Sequence, residues 1–491
     1  MRPPRRGGHR YRCLWQLNAS MLMDAAALEL THLSIAEAGR MLLAHDISPV
    51  DLVEAFLDRI AAVDGAIKSY LLIDAEGARA KAKRAEAEIL VGRWRGMLHG
   101  IPFGAKDNYY TKGLRTTANS RVLIDHVPDF DAAVIERLDA AGAILLGKLN
   151  TWEYGTGLGA VFHDAAFEQA RNPWKDNYFT GGSSTGSGAA VAAGTAMFAL
   201  GSDTGGSVRA PAAGCGVQAL KPTYGRISRY GILPNSWSLD VPGALTWTIE
   251  DCAIVMQALC GHDPRDGATA TADVPIFLDH VNRGVSGLRI AVVRELGSGF
   301  APDPAVKAGL DDVASVFADA GAELVEVRLP APLPDYRDVT ILISSSERAA
   351  AHERDFIEHA ELMGRELRES IMAGSAARAV DYLAAQRRRR ELAHATDALI
   401  HGFDVLLLPC ACHAAPSFND PKAVQAFMSD SVTTPFSLSG HPALAMRTGF
   451  DETDLPVGAQ LVGRYFDEAM VLRAARAYER TRTWHRRRPR L

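Results

Sequence analysis

Three side chains in this sequence have the types and surroundings that hydrolytic chemistry requires: Lys106, Ser183 and Ser207. Each serine closes a pair of glycines, in Gly181-Gly182-Ser183-Ser184 and in Gly205-Gly206-Ser207. Paired glycines let the backbone approach a ligand and adopt φ > 0, so that N–H groups can be aimed at developing negative charge, as in an oxyanion hole. An apolar, Ala- and Gly-rich segment, Ala189 to Leu200, joins the two clusters and ties both loops to one small hydrophobic unit. Lys106 follows a short apolar run bounded by Gly100, Pro102 and Gly104. A lysine held in the interior gives up its proton readily, because desolvation disfavours the charged form. Such a neutral amine can activate a serine hydroxyl, which is a weak nucleophile until a base takes its proton.

Two similar motifs are excluded. Gly182-Ser183-Ser184-Thr185-Gly186 fits the G-x-S-x-G nucleophile elbow, but that elbow needs a buried strand before it, and Pro173 to Thr180 is polar and turn-like. Neither Gly-rich cluster is followed by the lysine that a phosphate-binding loop requires. No histidine has the context of a triad member, so chymotrypsin-like chemistry finds no base. His99, His413 and His441 read as structural.

Set in their local sequences, Lys106, Ser183 and Ser207 resemble the amidase signature family with its Ser-Ser-Lys triad. The resemblance runs through Arg171-Asn172-Pro173-Trp174, Gly181 to Ser184, Gly201-Ser202-Asp203-Thr204-Gly205-Gly206-Ser207 and Lys221-Pro222-Thr223-Tyr224-Gly225-Arg226, and extends from about Leu33 to Pro489. The serines are 24 residues apart (207 − 183), as in the family pattern. One departure is Thr185, where many members have glycine. The resemblance implies Ser207 as nucleophile, Ser183 as bridging serine on a cis peptide, and Lys106 as general base. It also implies an oxyanion hole from the amides of Thr204, Gly205, Gly206 and Ser207, with Trp152, Tyr154 and Gly182 beside the substrate. No cofactor and no metal are implied. Asp203 and Arg209 read as a structural ion pair holding the nucleophile loop.

These residues need a scaffold. Ser34-Ile-Ala-Glu37 is a capping box and Ser48-Pro49 a helix start. Gly142 to Leu146, Val217 to Leu220, Leu288 to Val293, Ala322 to Val327, Asp404 to Pro409 and Pro442 to Met446 read as short buried strands, with Val457 to Val462 pairing as a hairpin partner. Residues 335 to 402 read as long helices, and the Arg387 to Arg390 run as one exposed helix face rather than a nucleic-acid patch. The expected fold is α/β, a mixed β-sheet core covered by helices on both faces. Residues 1–22, basic and Pro/Gly-rich, read as an extension ahead of a single domain over 23–491.

With 47% hydrophobic and 23% charged residues and a net charge of −5, the 491-residue chain has no strong field for nucleic acid or membrane. Six cysteines without a C-x-x-C pair argue for a reducing, cytoplasmic compartment. The reading is a free-standing amidase that hydrolyses a small amide or carbamate through an acyl-enzyme, with a small-molecule substrate, no nucleic acid, no membrane, and a homodimer compatible with the pattern. The alternative is the glutaminase subunit of a tRNA-dependent amidotransferase, which the central motifs and Gly261 to Asp266 resemble closely. Phe436 to Pro442 and Trp484 to Pro489 favour the free-standing enzyme. A non-catalytic binding protein on the same scaffold is disfavoured by the intact triad.

Overall fold

A computed structural model describes residues 29–157, 164–297 and 299–491. The extension read for residues 1–22 lies outside them. The local start signals act as their chemistry dictates. Ser34 accepts from the Glu37 N–H while Glu37 accepts from the Ser34 N–H, opening helix Ile35–Leu43. Ser48 caps Pro49–Ile67 through the N–H groups of Val50 and Asp51. Leu52, Val53, Phe56, Leu57 and Ile60 of that helix are buried on one face.

Among the described residues the core is one sheet of eleven strands: β1 Tyr70–Ile73, β2 Pro102–Lys106, β3 Ile144–Leu149, β4 Phe198–Asp203, β5 Gln218–Lys221, β6 Val241–Thr246, β7 Arg289–Val292, β8 Glu323–Glu326, β9 Val405–Pro409, β10 Ala443–Phe450 and β11 Pro456–Val462. Their spatial order is β1-β3-β2-β4-β6-β5-β10-β11-β9-β7-β8. β2 runs parallel to both β3 and β4, and β7 parallel to both β8 and β9, while the central pairings are antiparallel. The sheet is therefore mixed, as expected. Alternate side chains of a strand point to opposite faces. In β9, Val405 and Leu407 join one apolar cluster while Leu406 and Leu408 join another, so both faces are covered.

Several strands escaped the sequence reading. Ala189 to Leu200 is not one unit: helix α1, Thr185–Ala193, stops at Gly194 in the left-handed region (φ 71°), and β4 begins at Phe198. Alanine and glycine carry almost no β signal, and here burial decides the conformation. β2 and β6 were hidden for the same reason. Small residues also let α1 press into the sheet, since a Cβ on Gly186 would lie 2.3 Å from the Ser69 carbonyl oxygen. Helix α2, Arg209–Cys215, leads away from Ser207. Helices α3 (Leu333–His359), α4 (Arg365–Ala376) and α5 (Ala379–His401) form a block on the site side, with Ala349, Met363, Leu367 and Ile371 packing against Ala118 and Tyr154.

Candidate active site

Lys106 is the last residue of β2, the strand between β3 and β4, and it is fully buried. Its Nζ lies 2.8 Å from Ser183 Oγ and 2.9 Å from Ser202 Oγ. No carboxylate among the described residues comes within ion-pairing distance. Burial lowers its pKa from 10.5 to about 7, against the weaker upward pull of Asp240 and Asp203. A neutral amine beside a serine hydroxyl is thus accessible near pH 7.

Ser183 sits at the start of α1, and the Gly182–Ser183 peptide bond is cis. The Ser183 carbonyl accepts from the Trp152 N–H at 3.1 Å. The Trp152 ring lies against Gly182, where an added Cβ would meet Trp152 Cζ2 at 2.1 Å. That contact explains glycine at 182 better than any need for flexibility. Trp152 also stacks on Phe179 and lines a cavity with Asn119, Glu153, Thr185 and Leu367.

Ser207 lies on the loop between β4 and α2, half-buried, and its carbonyl accepts from the Ser184 N–H at 3.2 Å. Its Oγ makes no hydrogen bond among the described residues. Asp203 holds this loop from beneath, accepting from the Gly206 N–H at 2.8 Å and from the Val208 N–H at 3.3 Å. Arg209 grips the same carboxylate through Nε (3.0 Å) and Nη2 (3.1 Å), with both partners fully buried. Burial alone would raise the Asp203 carboxyl, but Arg209 and these hydrogen bonds bring it below the ordinary carboxylate value. The Gly206 amide is therefore engaged below the loop. The amides of Thr204, Gly205 and Ser207 have no hydrogen-bond partner among the described residues.

Tyr154 is placed differently from Trp152. Its hydroxyl donates to Asp355 Oδ2 at 3.0 Å and its ring packs on His352 at 4.5 Å, so it joins the site loop to α3. Sequence reasoning missed the side chains that support Lys106 and the loop of Ser207. Ser202 bonds Lys106 and accepts from Asn108 Nδ2 at 3.1 Å. Asp240 accepts from Thr204 Oγ1 at 2.5 Å and from the N–H groups of Asn235 and Ser236. Asn235 in turn donates to the Gly155 carbonyl and to Thr204 Oγ1. The segment Pro234-Asn-Ser-Trp-Ser-Leu-Asp240 has no periodicity and no motif, so nothing in it marked these side chains.

Residues 51–472 match the profile of the family described as Amidase. The chain belongs to that family. It is an amidase-family hydrolase of C–N bonds. It is 40% identical over 494 aligned positions to a glutamyl-tRNA(Gln) amidotransferase subunit from Chloroflexus aurantiacus (strain ATCC 29366 / DSM 635 / J-10-fl), covering 94% of this chain and 99% of the relative. It is 38% identical to the subunit of the same name from Halalkalibacterium halodurans, covering 94% and 100%. Among solved structures, a vestigial protein complex described with the origins of an s-triazine catabolic enzyme superposes with a TM-score of 0.85 at 31% identity, covering 91% of this chain and 98% of that one. The corresponding amidotransferase subunit from Thermotoga maritima superposes with a TM-score of 0.77 at 31% identity, covering 93% and 96%.

These findings correct two expectations for this amidase. The free-standing enzyme gives way, because relatives matching over 94% of the chain are named as one subunit of an amidotransferase. The partner expectation, a small amide or carbamate with no nucleic acid and a possible homodimer, falls with it, because that name carries a tRNA. The C-terminal motifs misled for a physical reason. His441 is buried, stacked on Tyr465 at 3.8 Å and bonded to Ser439 and Asp397, and Trp484 packs edge-on against Phe450. Residues that pack the interior do not report whether the surface meets a partner. Among the described residues, no helix is long and apolar enough to cross a membrane.

Proposed function

We propose that this amidase is the glutaminase subunit of a tRNA-dependent amidotransferase, releasing ammonia from glutamine for transfer within a larger assembly. The observation that carries the reading is end-to-end similarity to subunits of that name, together with a buried lysine 2.8 Å from Ser183. In the proposed mechanism neutral Lys106 takes a proton from Ser183, which takes one from Ser207, and Ser207 Oγ attacks the side-chain carboxamide carbon. The free amides of Thr204, Gly205 and Ser207 donate to the oxyanion, while Gly206, held by Asp203, sets the loop's shape. Collapse of the tetrahedral intermediate breaks the C–N bond, and the relay returns the proton to the departing ammonia. Water then cleaves the acyl-enzyme by the reverse path. Trp152 and Gly182 shape the wall behind Ser183.

The test is reconstitution of the chain with the remaining subunits of a glutamyl-tRNA(Gln) amidotransferase. Glutamine-dependent amidation of glutamyl-tRNA is expected, and its loss in Ser207→Ala. Failure to associate, with ammonia release by the chain alone from unrelated amides, overturns the reading.

A further inference from the structure

Arg348 of α3 is a buried cation that no carboxylate among the described residues pairs with. It is 7% exposed. Its Nε donates to Asn235 Oδ1 at 2.8 Å and its Nη1 to Ser370 Oγ on α4, both neutral acceptors. Its Nη2 makes no hydrogen bond among the described residues. The acids around it are committed elsewhere. Glu347 accepts from Ser236, Ser238 and Tyr382, Asp355 accepts from Tyr154, and Asp240 accepts from Thr204 and two backbone amides. Burial lowers the Arg348 pKa to about 10, with Asp240 opposing at longer range, so the guanidinium stays charged at neutral pH. An unpaired buried charge is strongly destabilising unless something supplies its counter-ion.

The location says what supplies it. Asn235, which Arg348 holds, donates to Thr204 Oγ1 at 3.1 Å and to the Gly155 carbonyl at 3.2 Å. Thr204 belongs to the nucleophile loop, and a Cβ on Gly155 would lie 3.5 Å from Ser183 Oγ. Two turns earlier on the same helix, Thr340 flanks Gly205 of that loop at 3.9 Å from an added Cβ. α3 thus runs along the nucleophile loop with its arginine one side chain away from it. A guanidinium with one nitrogen free can donate a charge-assisted hydrogen bond to a carboxylate.

We propose that Arg348 is the specificity-determining residue of this site and receives a carboxylate on the acyl portion of the substrate, so that the substrate class is anionic primary amides. The proposal rests on the reading that Ser207 attacks amides, and glutamine is one member of the class. The test is titration of the full chain carrying Ser207→Ala with glutaramate and with glutaramide, isosteres that differ only in carboxylate against carboxamide. Glutaramate is expected to bind about 30-fold tighter, the worth of a charge-assisted contact. Arg348→Met should erase the preference and Arg348→Lys restore part of it. The preference should be flat from about pH 6 to 9, since an arginine does not titrate there. Equal affinities, no saturable binding of glutaramate, or a preference surviving in Arg348→Met overturns the proposal. So does a preference that fades as pH rises through 7, which would assign the carboxylate to Lys106. If glutaramate binds as expected but the reconstituted complex releases no ammonia from glutamine, the glutaminase reading falls and Arg348 keeps its role toward another anionic amide.

Discussion

Lys106 and Lys148 stand on neighbouring parallel strands, β2 and β3, both fully buried, and they meet opposite environments. Lys148 Nζ lies 3.2 Å from Asp107 and donates to the Tyr109 carbonyl (2.7 Å) and to Thr116 Oγ1 (2.6 Å). Asp107 is further held by Thr117 through its N–H and hydroxyl. Lys106, one residue before that aspartate, is left with two serine hydroxyls. Burial lowers both lysines, but only Lys148 has an adjacent carboxylate to oppose it. Strand alternation makes this division: successive residues face opposite sides of the sheet, so Asp107 is turned towards Lys148. One lysine is paired within the fold and the other is left with serine hydroxyls and a lowered pKa.

The contrast can be broken from either side. The largest effect is expected from Lys106→Met, which should lower glutaminase turnover by roughly 10⁴-fold in the reconstituted enzyme, since relay members act as a unit. The same change should leave unfolding in denaturant unaltered or stabilised by about 1–4 kcal/mol, because it removes a desolvated amine that must give up its proton on burial. Lys148→Met should do the reverse in kind, destabilising by about 3–5 kcal/mol by orphaning Asp107, with part of the loss recovered when Asp107→Asn is added. If Lys148→Met unfolds no more easily than wild type, the division of roles is wrong.

Smaller effects sharpen the picture. Gly182→Ala drives a methyl into the Trp152 ring and should cost about 1–3 kcal/mol together with most of the activity, measured by calorimetry and ammonia release. Trp152→Leu in the same chain should recover stability before activity. The pH dependence has a definite sign. Turnover should rise as pH climbs through about 7, as Lys106 loses its proton. Because the folded-state value lies below the unfolded one, the unfolded chain binds more protons between about 7 and 10.5, so stability should also rise across that window. The destabilisation is present in full below pH 7. Lys106→Met should reduce that slope, and the remainder is carried by Lys148 and Lys221, which burial also lowers.

The contact between Lys106 and Ser183 joins two residues the sequence had singled out. Gly-Gly-Ser pairs and a lysine behind an apolar run, with the resemblance to the amidase signature family, pointed to Lys106, Ser183 and Ser207, and Asp203 with Arg209 was read as an ion pair holding the loop. Strands rich in branched residues, such as Val405–Pro409, were visible through their apolar runs. β2, β4 and β6 were not, since Ala, Gly and Pro carry little strand propensity and take their conformation from neighbours. Asn235 and Asp240 lay in a stretch without pattern and Arg348 on a helix whose neighbours the sequence did not name, and the contacts that place them reach Thr204 and Asn235, 31 to 113 residues away.

The sequence by itself determined the chemistry available: which hydroxyls and amines exist, where helices start, and which loops can bring bare backbone to a ligand. Each of these depends on a few consecutive residues. Only the tertiary structure decided which charges are neutralised. That Asp107 belongs to Lys148, that Lys106 is left to serines, and that Arg348 waits beside the nucleophile loop without a carboxylate all follow from desolvation and from neighbours distant in the chain. Electrostatic energy depends on distance and burial in three dimensions, and neither is written in sequence separation.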